Sequence, residues 1–356
     1  VKSEPGSLGP DSSLLCYFKL DKEIVMDKKD WNPGSLLELS GFYWRSCVLH
    51  AAVKLDIFTA VGNETLGSED LASKCNCSGR GLVRLLNAAA ALGLLSKTDD
   101  RFSNTQASAT FLSKESDKYI GHIILHHHHL MASWADLDQA VSTGRPIRTR
   151  ASRTDEQWRE SFLMGMFNMA MSMAPRLVPL IDLAGCTHLL DLGGGPGTYA
   201  IHFCRANPDL KATVFDLPAT RPFAEKTIDR FGLSDRIAFK AGDYLEDDIG
   251  RNYDAAWLSH ILHGEGPDNC NQMIRKVVNG LNPGGMIVVH EFILDNTMDA
   301  PLFPALFSLN MLLGTENGQA YSQQQLEDML TAAGVKNIER VLFESPNDSG
   351  ILLGVV

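Results

Sequence analysis

Apolar residues in the stretch "SLLELSGFYWRSCVLHAAVKLDIFTAVG", residues 35–62, are spread over more than one helical face: Leu37, Phe42, Trp44, Val48, Ala52, Leu55 and Phe58. A helix that is apolar beyond one stripe must be covered on two sides. Next, Ser68 and Ser78 stand as N-caps before two short helical patterns, and Gly93 interrupts the second near its end. "LLSKTDDRFSNT" then reads as two short strands around an Asp-containing turn. Helix, helix and hairpin are the parts of a winged helix. From Ser113 to about Leu183 the pattern is helical, and after Gly185 strands alternate with helices. The strand segments are "HLLDLG", "KATVFDL", "RIAFKAGD", "YDAAWLSH" and "GMIVVHEFIL". A last helix, "SQQQLEDMLTAAG", precedes "NIERVLFES" and "GILLGVV", whose short connection favours an antiparallel hairpin. The expected fold is α/β: a Rossmann-like doubly wound sheet with an antiparallel C-terminal hairpin, plus a mostly helical winged-helix domain. The expected divisions are an extension (1–35), the winged helix (36–112), a helical connector (113–183) and the sheet domain (184–356).

Composition narrows the partners. The 356 residues are 44% hydrophobic and 21% charged, with a formal net charge of -11. Nucleic-acid affinity rests on Lys and Arg displacing counterions, so this balance argues against DNA or RNA. The second winged-helix helix carries only Arg80 and Arg84 beside Leu82, Val83, Leu85 and Leu86, which suits protein packing and dimerisation. The seven cysteines, Cys16, Cys47, Cys75, Cys77, Cys186, Cys204 and Cys270, are odd in number and unpaired in spacing, as expected of reduced thiols in the cytoplasm. No signal-peptide pattern and no apolar run of about 18 residues suggests export or a membrane. Cys75 and Cys77 form a lone C-x-C, and the run His126–His129 points in directions about 100° apart on a helix, so neither converges on an ion. No metal is expected. Met164, Met166, Met169, Met171 and Met173 suit either adaptable core filling or a pliable pocket wall.

The chemistry begins at "HLLDLGGGPGTYAIHF". Glycines directly after the first strand of such a sheet let the backbone pass closely beneath a ligand at the strand ends. The dinucleotide fingerprint G-x-G-x-x-G fails at Thr198, whereas D-x-G-x-G-x-G is present as Asp191, Gly193, Gly195 and Gly197. Asp216 ends the second strand, where a carboxylate suits ribose hydroxyls, and Asp243 ends the third, placed for an adenine amino group. The missing Walker lysine disfavours a nucleoside triphosphate. His263 lies just past the fourth strand, and Glu291 in the fifth is placed to orient its imidazole. His260, three residues earlier, is a further candidate. His290 alternates to the opposite strand face and is read as structural.

At these residues the chain resembles the class I S-adenosylmethionine-dependent small-molecule O-methyltransferases that include the acetylserotonin and caffeic acid enzymes. The likeness runs from Leu36 to Val356 through the glycine motif, "FDLP", "GDYLED", "LSHILHGEGPDNC", "LNPGGMIVVHEFIL" and "LFSLNMLLGTENGQAYS". It implies cofactor contacts from Gly193, Asp216, Asp243 and Tyr244, with Leu217 and Ser259 beside them, and His263 as general base. It also implies a homodimer with interlocking N-terminal helices that help close a pocket for a small-molecule acceptor. Phe162, Met166, Trp257, Phe307, Asn310 and Met311 are wall candidates by family position, and each suits the core equally. Two positions depart from the pattern: many relatives have "HDW" where this chain has His263, Gly264 and Glu265, and plant members carry glutamate at Ala320. Glu265 and Glu316 are the candidate replacements. Methylation of carbon, nitrogen or sulfur, another step on the same cofactor, and a ligand-responsive DNA-binding regulator are the alternatives.

Overall fold

The computed structural model describes residues 31–148, 156–345 and 347–356, apart from the side chain of Gln157; Cys16 and nearly all of the expected extension fall outside the described residues. Two compact units divide them: one contains 31–135 and 156–168, the other 136–148 and 169–356.

The N-terminal unit runs α1 (Pro33–Gly41), α2 (Tyr43–Lys54), α3 (Ile57–Val61), β1 (Leu66–Gly67), α4 (Ser68–Lys74), α5 (Gly79–Ala91), β2 (Leu95–Thr98), β3 (Arg101–Asn104), α6 (Gln106–Phe111) and α7 (Gly121–Ala135). The apolar stretch 35–62 is thus three helices rather than one. Asp56 adopts left-handed backbone (φ 58) between α2 and α3. Its carboxylate accepts the Thr59 hydroxyl at 2.7 Å, a local bond that competes with helix propagation. Ser78 takes the N-cap position of α5 as expected but makes no side-chain cap hydrogen bond, and at α4 the cap is Gly67 and Ser68 is the first helical residue. The hairpin β2–β3 forms, and β1 adds a third strand in the order β1–β3–β2. Phe58, Leu71, Leu86 and Phe102 fill the core beneath it. Leu36, Leu37, Leu39, Tyr43 and Trp44 of α1 and α2 are exposed, Leu37 at 74% and Trp44 at 67%. The histidine run lies on α7 and diverges: His129 stacks on Trp158 at 4.5 Å, His126 meets Phe162 at 5.2 Å, and His128 lies 3.1 Å from Lys54 Nζ.

The C-terminal unit is built on β4 (His188–Leu192), β5 (Lys211–Asp216), β6 (Ile237–Ala241), β7 (Tyr253–Ser259), β8 (Leu281–Leu294), β9 (Tyr321–Ser322), β10 (Lys336–Val341) and β11 (Ser349–Val355). Helices α8 (Leu137–Thr143), α9 (Glu156–Leu177), α10 (Thr198–Ala206), α11 (Arg221–Arg230), α12 (Pro267–Gly280), α13 (Leu302–Gly314) and α14 (Gln323–Ala332) complete the chain. The sheet order is β10–β11–β8–β7–β4–β5–β6; β8 through β6 pair in parallel and β11 lies antiparallel between β8 and β10. The expected last strand pair is therefore present, although β10 stops at Val341, short of the predicted Ser345. Two apolar layers cover the sheet, one around Leu189, Tyr199, Phe203 and Trp257, the other around Leu190, Phe215, Leu258, Met273 and Ile274. The chain reverses its order of strand addition between β4 and β7, and in open α/β sheets that crevice, beyond the strand carboxyl ends, receives ligands. No described helix is long and apolar enough to cross a membrane.

Candidate active site

The glycine turn stands at that crevice. Gly193, Gly195 and Gly197 all take positive φ (64, 54 and 76), which side-chain-bearing residues rarely adopt. Gly193 has a second reason to be bare: a Cβ there would lie 2.5 Å from Ile261 Cγ2, so the turn and the segment after β7 are pressed together. Asp191 is buried beneath the turn, where its Oδ2 accepts the Ala200 N–H at 3.2 Å. Burial pushes its carboxyl up to about 7, against the effect of that hydrogen bond. It braces the turn from below.

Asp216 links turn and strand end. Its Oδ2 accepts the Gly195 N–H at 2.8 Å, while Oδ1 accepts the Leu217 N–H at 2.7 Å and the Thr220 hydroxyl at 3.0 Å. Asp243, after β6, accepts the Leu245 N–H at 3.0 Å, and its own N–H donates to Asp247. Tyr244 donates its hydroxyl to Glu265 Oε1 at 2.9 Å. Two α12 side chains that no motif singles out fasten this loop. Lys276 Nζ donates to the carbonyls of Tyr244, Leu245 and Asp247, and Gln272 to that of Leu245.

Beside the turn, β7 ends at Ser259 and a short 3-10 turn, Leu262–Gly264, carries His263. His263 Nδ1 lies 2.7 Å from Glu291 Oε2. Glu291 is fully buried in β8, and its Oε1 also accepts the N–H groups of Leu262 at 2.8 Å and His263 at 3.4 Å. Burial alone would raise this carboxyl, but the facing His263 and its hydrogen bonds hold it well below the usual carboxylate range. The other imidazole nitrogen, Nε2, points away from Glu291. His263 packs on Phe292 at 5.9 Å and edge-on to Phe307 at 4.8 Å; Phe303 completes an aromatic wall, 5.0 Å from Phe292. His260 is not on a helical turn with His263. It takes left-handed backbone (φ 55) at the strand end, and its Nδ1 stands 3.7 Å from Glu291 Oε2.

Several sequence candidates fall into place around this pair. His290 is buried on the opposite face, bonded to the hydroxyls of Ser259 and Ser349 at 2.9 Å each. The Ser259 hydroxyl is therefore engaged with His290. Trp257 is a correction: it is fully buried among Tyr199, Phe203 and His290, in the sheet core rather than a pocket wall. Glu265, a candidate replacement for the missing aspartate, accepts the Tyr244 hydroxyl at Oε1 and the Asn269 amide at Oε2. Glu316 is exposed, and Ala320 is fully buried with its N–H on Ser308. Asn310 and Met311 are largely buried on α13, and Arg148 donates to both the carbonyl and Oδ1 of Asn310 at 3.0 and 2.8 Å. Phe162 and Met166 lie on α9 within the N-terminal unit. Of the methionines, Met173 is core, and Met171 Sδ lies 3.4 Å from His202.

Comparison with known proteins places the chain in a family. The O-methyltransferase domain family matches residues 134–336, and the O-methyltransferase dimerisation domain matches residues 37–114. The 3-hydroxy-5-methyl-1-naphthoate 3-O-methyltransferase of Streptomyces sahachiroi is 30% identical over 91% of this chain and 95% of that enzyme. The tetracenomycin polyketide synthesis 8-O-methyl transferase of Streptomyces glaucescens is 29% identical over 90% of this chain and 96% of its own length. Among solved structures, human N-acetylserotonin methyltransferase in complex with SAM superposes with a TM-score of 0.80 at 24% identity, over 93% of this chain and 99% of that one, a likeness of fold.

Proposed function

We propose that this chain, which belongs to the O-methyltransferase family, holds its cofactor with the residues of the glycine turn and takes the acceptor's proton with His263. The enzyme is an S-adenosylmethionine-dependent O-methyltransferase, and its acceptor is a hydroxyl of a small aromatic or polyketide-like molecule, the class its Streptomyces relatives act on. The observation that carries the site assignment is the 2.7 Å pair of His263 Nδ1 and the buried Glu291 carboxylate.

The residues fit the cofactor. The positive-φ glycines turn the backbone sharply at the strand end, where N–H groups can pass close beneath a ligand. Asp216, an acceptor-only carboxylate, suits a ribose diol, Asp243 suits an adenine amino group, and Tyr244 flanks them; Asp191, Leu217 and Ser259 hold this frame in place. S-adenosylmethionine supplies an electrophilic methyl on a sulfonium. The chain's own task is to orient the acceptor and remove its proton. With Nδ1–H donated to Glu291, the neutral imidazole presents the Nε2 lone pair to the acceptor hydroxyl. The imidazolium formed is then stabilised by a carboxylate already ionised and fixed by backbone N–H groups. Phe292, Phe303 and Phe307 offer flat apolar surface to an aromatic acceptor, with Asn310 and Met311 beyond them on the same helix as Phe307.

The matched dimerisation domain and the exposed apolar side chains of α1 and α2 support a homodimer through the N-terminal helices. The acidic charge supports small-molecule rather than nucleic-acid partners. The described cysteines are free thiols, which supports a cytoplasmic setting.

Calorimetric titration with S-adenosylhomocysteine tests the cofactor site: wild type binds and Asp216→Ala loses most of the affinity. A methyl-transfer assay on naphthols and related phenols tests the base. His263→Gln lowers kcat by about 10²- to 10⁴-fold while still binding S-adenosylhomocysteine. Unchanged turnover in a folded His263→Gln would remove the histidine from the reaction. Trp44→Glu converts the dimer to monomer in light scattering; a dimer that survives it would move the interface elsewhere.

A further inference from the structure

His260, His263 and Glu291 are, among the described residues, the one group of His, Cys, Asp or Glu side chains whose possible ligand atoms all lie within 4.8 Å of one another. Nothing in the spacing of the sequence announced it, because His260 joins the group only through its left-handed backbone at the end of β7. From the geometry we infer a metal site: His260 Nδ1, His263 Nδ1 and Glu291 Oε2 bind a borderline divalent transition ion such as Zn²⁺, and the ion holds the catalytic base out of the reaction.

Three observations carry this. First, the donor set is two imidazoles and one carboxylate on adjoining strand ends, which selects zinc, cobalt or nickel over magnesium and calcium, ions that prefer all-oxygen shells. Second, the spacing is within side-chain reach of an ion: all three atoms lie within 4.8 Å of one another, so binding draws the two imidazoles together. Two donors each about 2.0–2.1 Å from a tetrahedral centre stand about 3.3 Å apart. Glu291 Oε2 lies 2.7 Å from His263 Nδ1 and 3.7 Å from His260 Nδ1, on either side of that value. Third, His260 Nδ1 is buried with no hydrogen-bond partner, since 3.7 Å is too far for a bond to the carboxylate. A bound ion satisfies that atom. The supporting shell is already built: Glu291 Oε1 is fixed by the Leu262 and His263 N–H groups, Oε2 takes the Phe292 N–H at 3.3 Å, and the His260 ring packs on Phe292 at 4.2 Å.

The effect on the reaction follows from where one proton sits, and this part rests on His263 being the base. In the metal-free enzyme the neutral imidazole carries its proton on Nδ1 and accepts another at Nε2. Ligation through Nδ1 leaves the imidazole's single proton on Nε2, which then has no lone pair for the acceptor hydroxyl. Zinc is thus a reversible inhibitor and no part of the methyl transfer.

Co²⁺ titration of the full-length protein, read by ligand-field absorption, tests the site without turnover. Wild type takes up one equivalent with a tetrahedral-type spectrum, Zn²⁺ displaces it, and His260→Gln and Glu291→Gln each weaken binding at least about tenfold. S-adenosylhomocysteine calorimetry and thermal unfolding establish that each variant is folded. Unchanged Co²⁺ binding in both folded variants, or a thiolate charge-transfer band showing that cysteines hold the ion, overturns the proposal. Binding that depends on His260 and Glu291, combined with turnover indifferent to Zn²⁺, upholds the site and instead refutes His263 as base.

Discussion

Gly193 shows how much one position carries. Its φ of 64 alone costs a substituted residue about 1–2 kcal/mol, and the added methyl would also collide with Ile261 at 2.5 Å. Overpacking of that kind costs a further 1–3 kcal/mol or so. Gly185 separates the two effects, since its φ is 82 but nothing lies within 4 Å of a methyl placed there. Gly193→Ala is therefore expected to lose distinctly more stability than Gly185→Ala in denaturant unfolding, and to weaken S-adenosylhomocysteine binding as well. Equal losses would mean that the contact with Ile261 relaxes freely. The same reasoning extends to Gly318, where a Cβ would lie 2.5 Å from the His263 carbonyl oxygen. That glycine lets the loop after α13 lie against the turn that carries His263.

At the level of elements, α12 braces the loop after β6. Lys276 is half-buried and gathers three carbonyls of the loop after β6, so Lys276→Met leaves those acceptors to water and loosens Asp243 and Tyr244. The expected result is a loss of about 1–2 kcal/mol in stability and weaker S-adenosylhomocysteine binding, with kcat at saturation nearly unchanged. A fall in kcat without a change in binding would place the effect on the base instead. This brace was illegible in the sequence, because a lysine pairing with carbonyls some thirty residues away leaves no periodic trace. The Asp216 and Asp243 positions were legible, since acids at the ends of successive parallel strands are fixed by the topology alone. So was the pairing of His263 with Glu291, which needs only that β7 and β8 be neighbours and that the residue faces alternate. What periodicity missed were the breaks: Asp56 and His260 both leave regular structure through left-handed backbone, one splitting a helix and the other aiming an imidazole. Trp257 took the core alternative, as an aromatic on a central strand reads alike from either face of the sheet.

Across the whole molecule the histidines set the response to acid. His50, His122, His128, His188, His202, His260 and His290 all lie below the ordinary value, in each case chiefly through burial, with His50 and His202 lowered to about 4. His50 on α2 also faces His127 and His128 of α7, which resist a further positive charge. The sign is fixed by linkage. Below the ordinary 6.5 the unfolded chain takes up protons that the folded chain refuses, so these groups stabilise the fold above that value and the stability drains away down to about 4. Glu291, held low in the folded state, acts in the same direction at still lower pH. Two effects oppose them. Asp191, raised to about 7, favours the folded state in its protonated form, and acid relieves the self-repulsion of a chain with net charge -11. One raised carboxyl and a dispersed surface charge stand against seven histidines spread through both units, and lowering a fully buried imidazole's pKa by one corresponds to about 1.4 kcal/mol, less for a partly exposed one. The melting temperature is accordingly expected to fall continuously from about pH 6.5 to about 4.5, by about 2–4 °C for each kcal/mol lost, with net proton uptake on unfolding across the same interval. His50→Gln and His202→Gln should each flatten the curve by removing a group that titrates only in the unfolded chain. A melting temperature level to about pH 5 would mean that the buried imidazoles accept protons in place, and that the enclosure around them opens more readily than their packing implies.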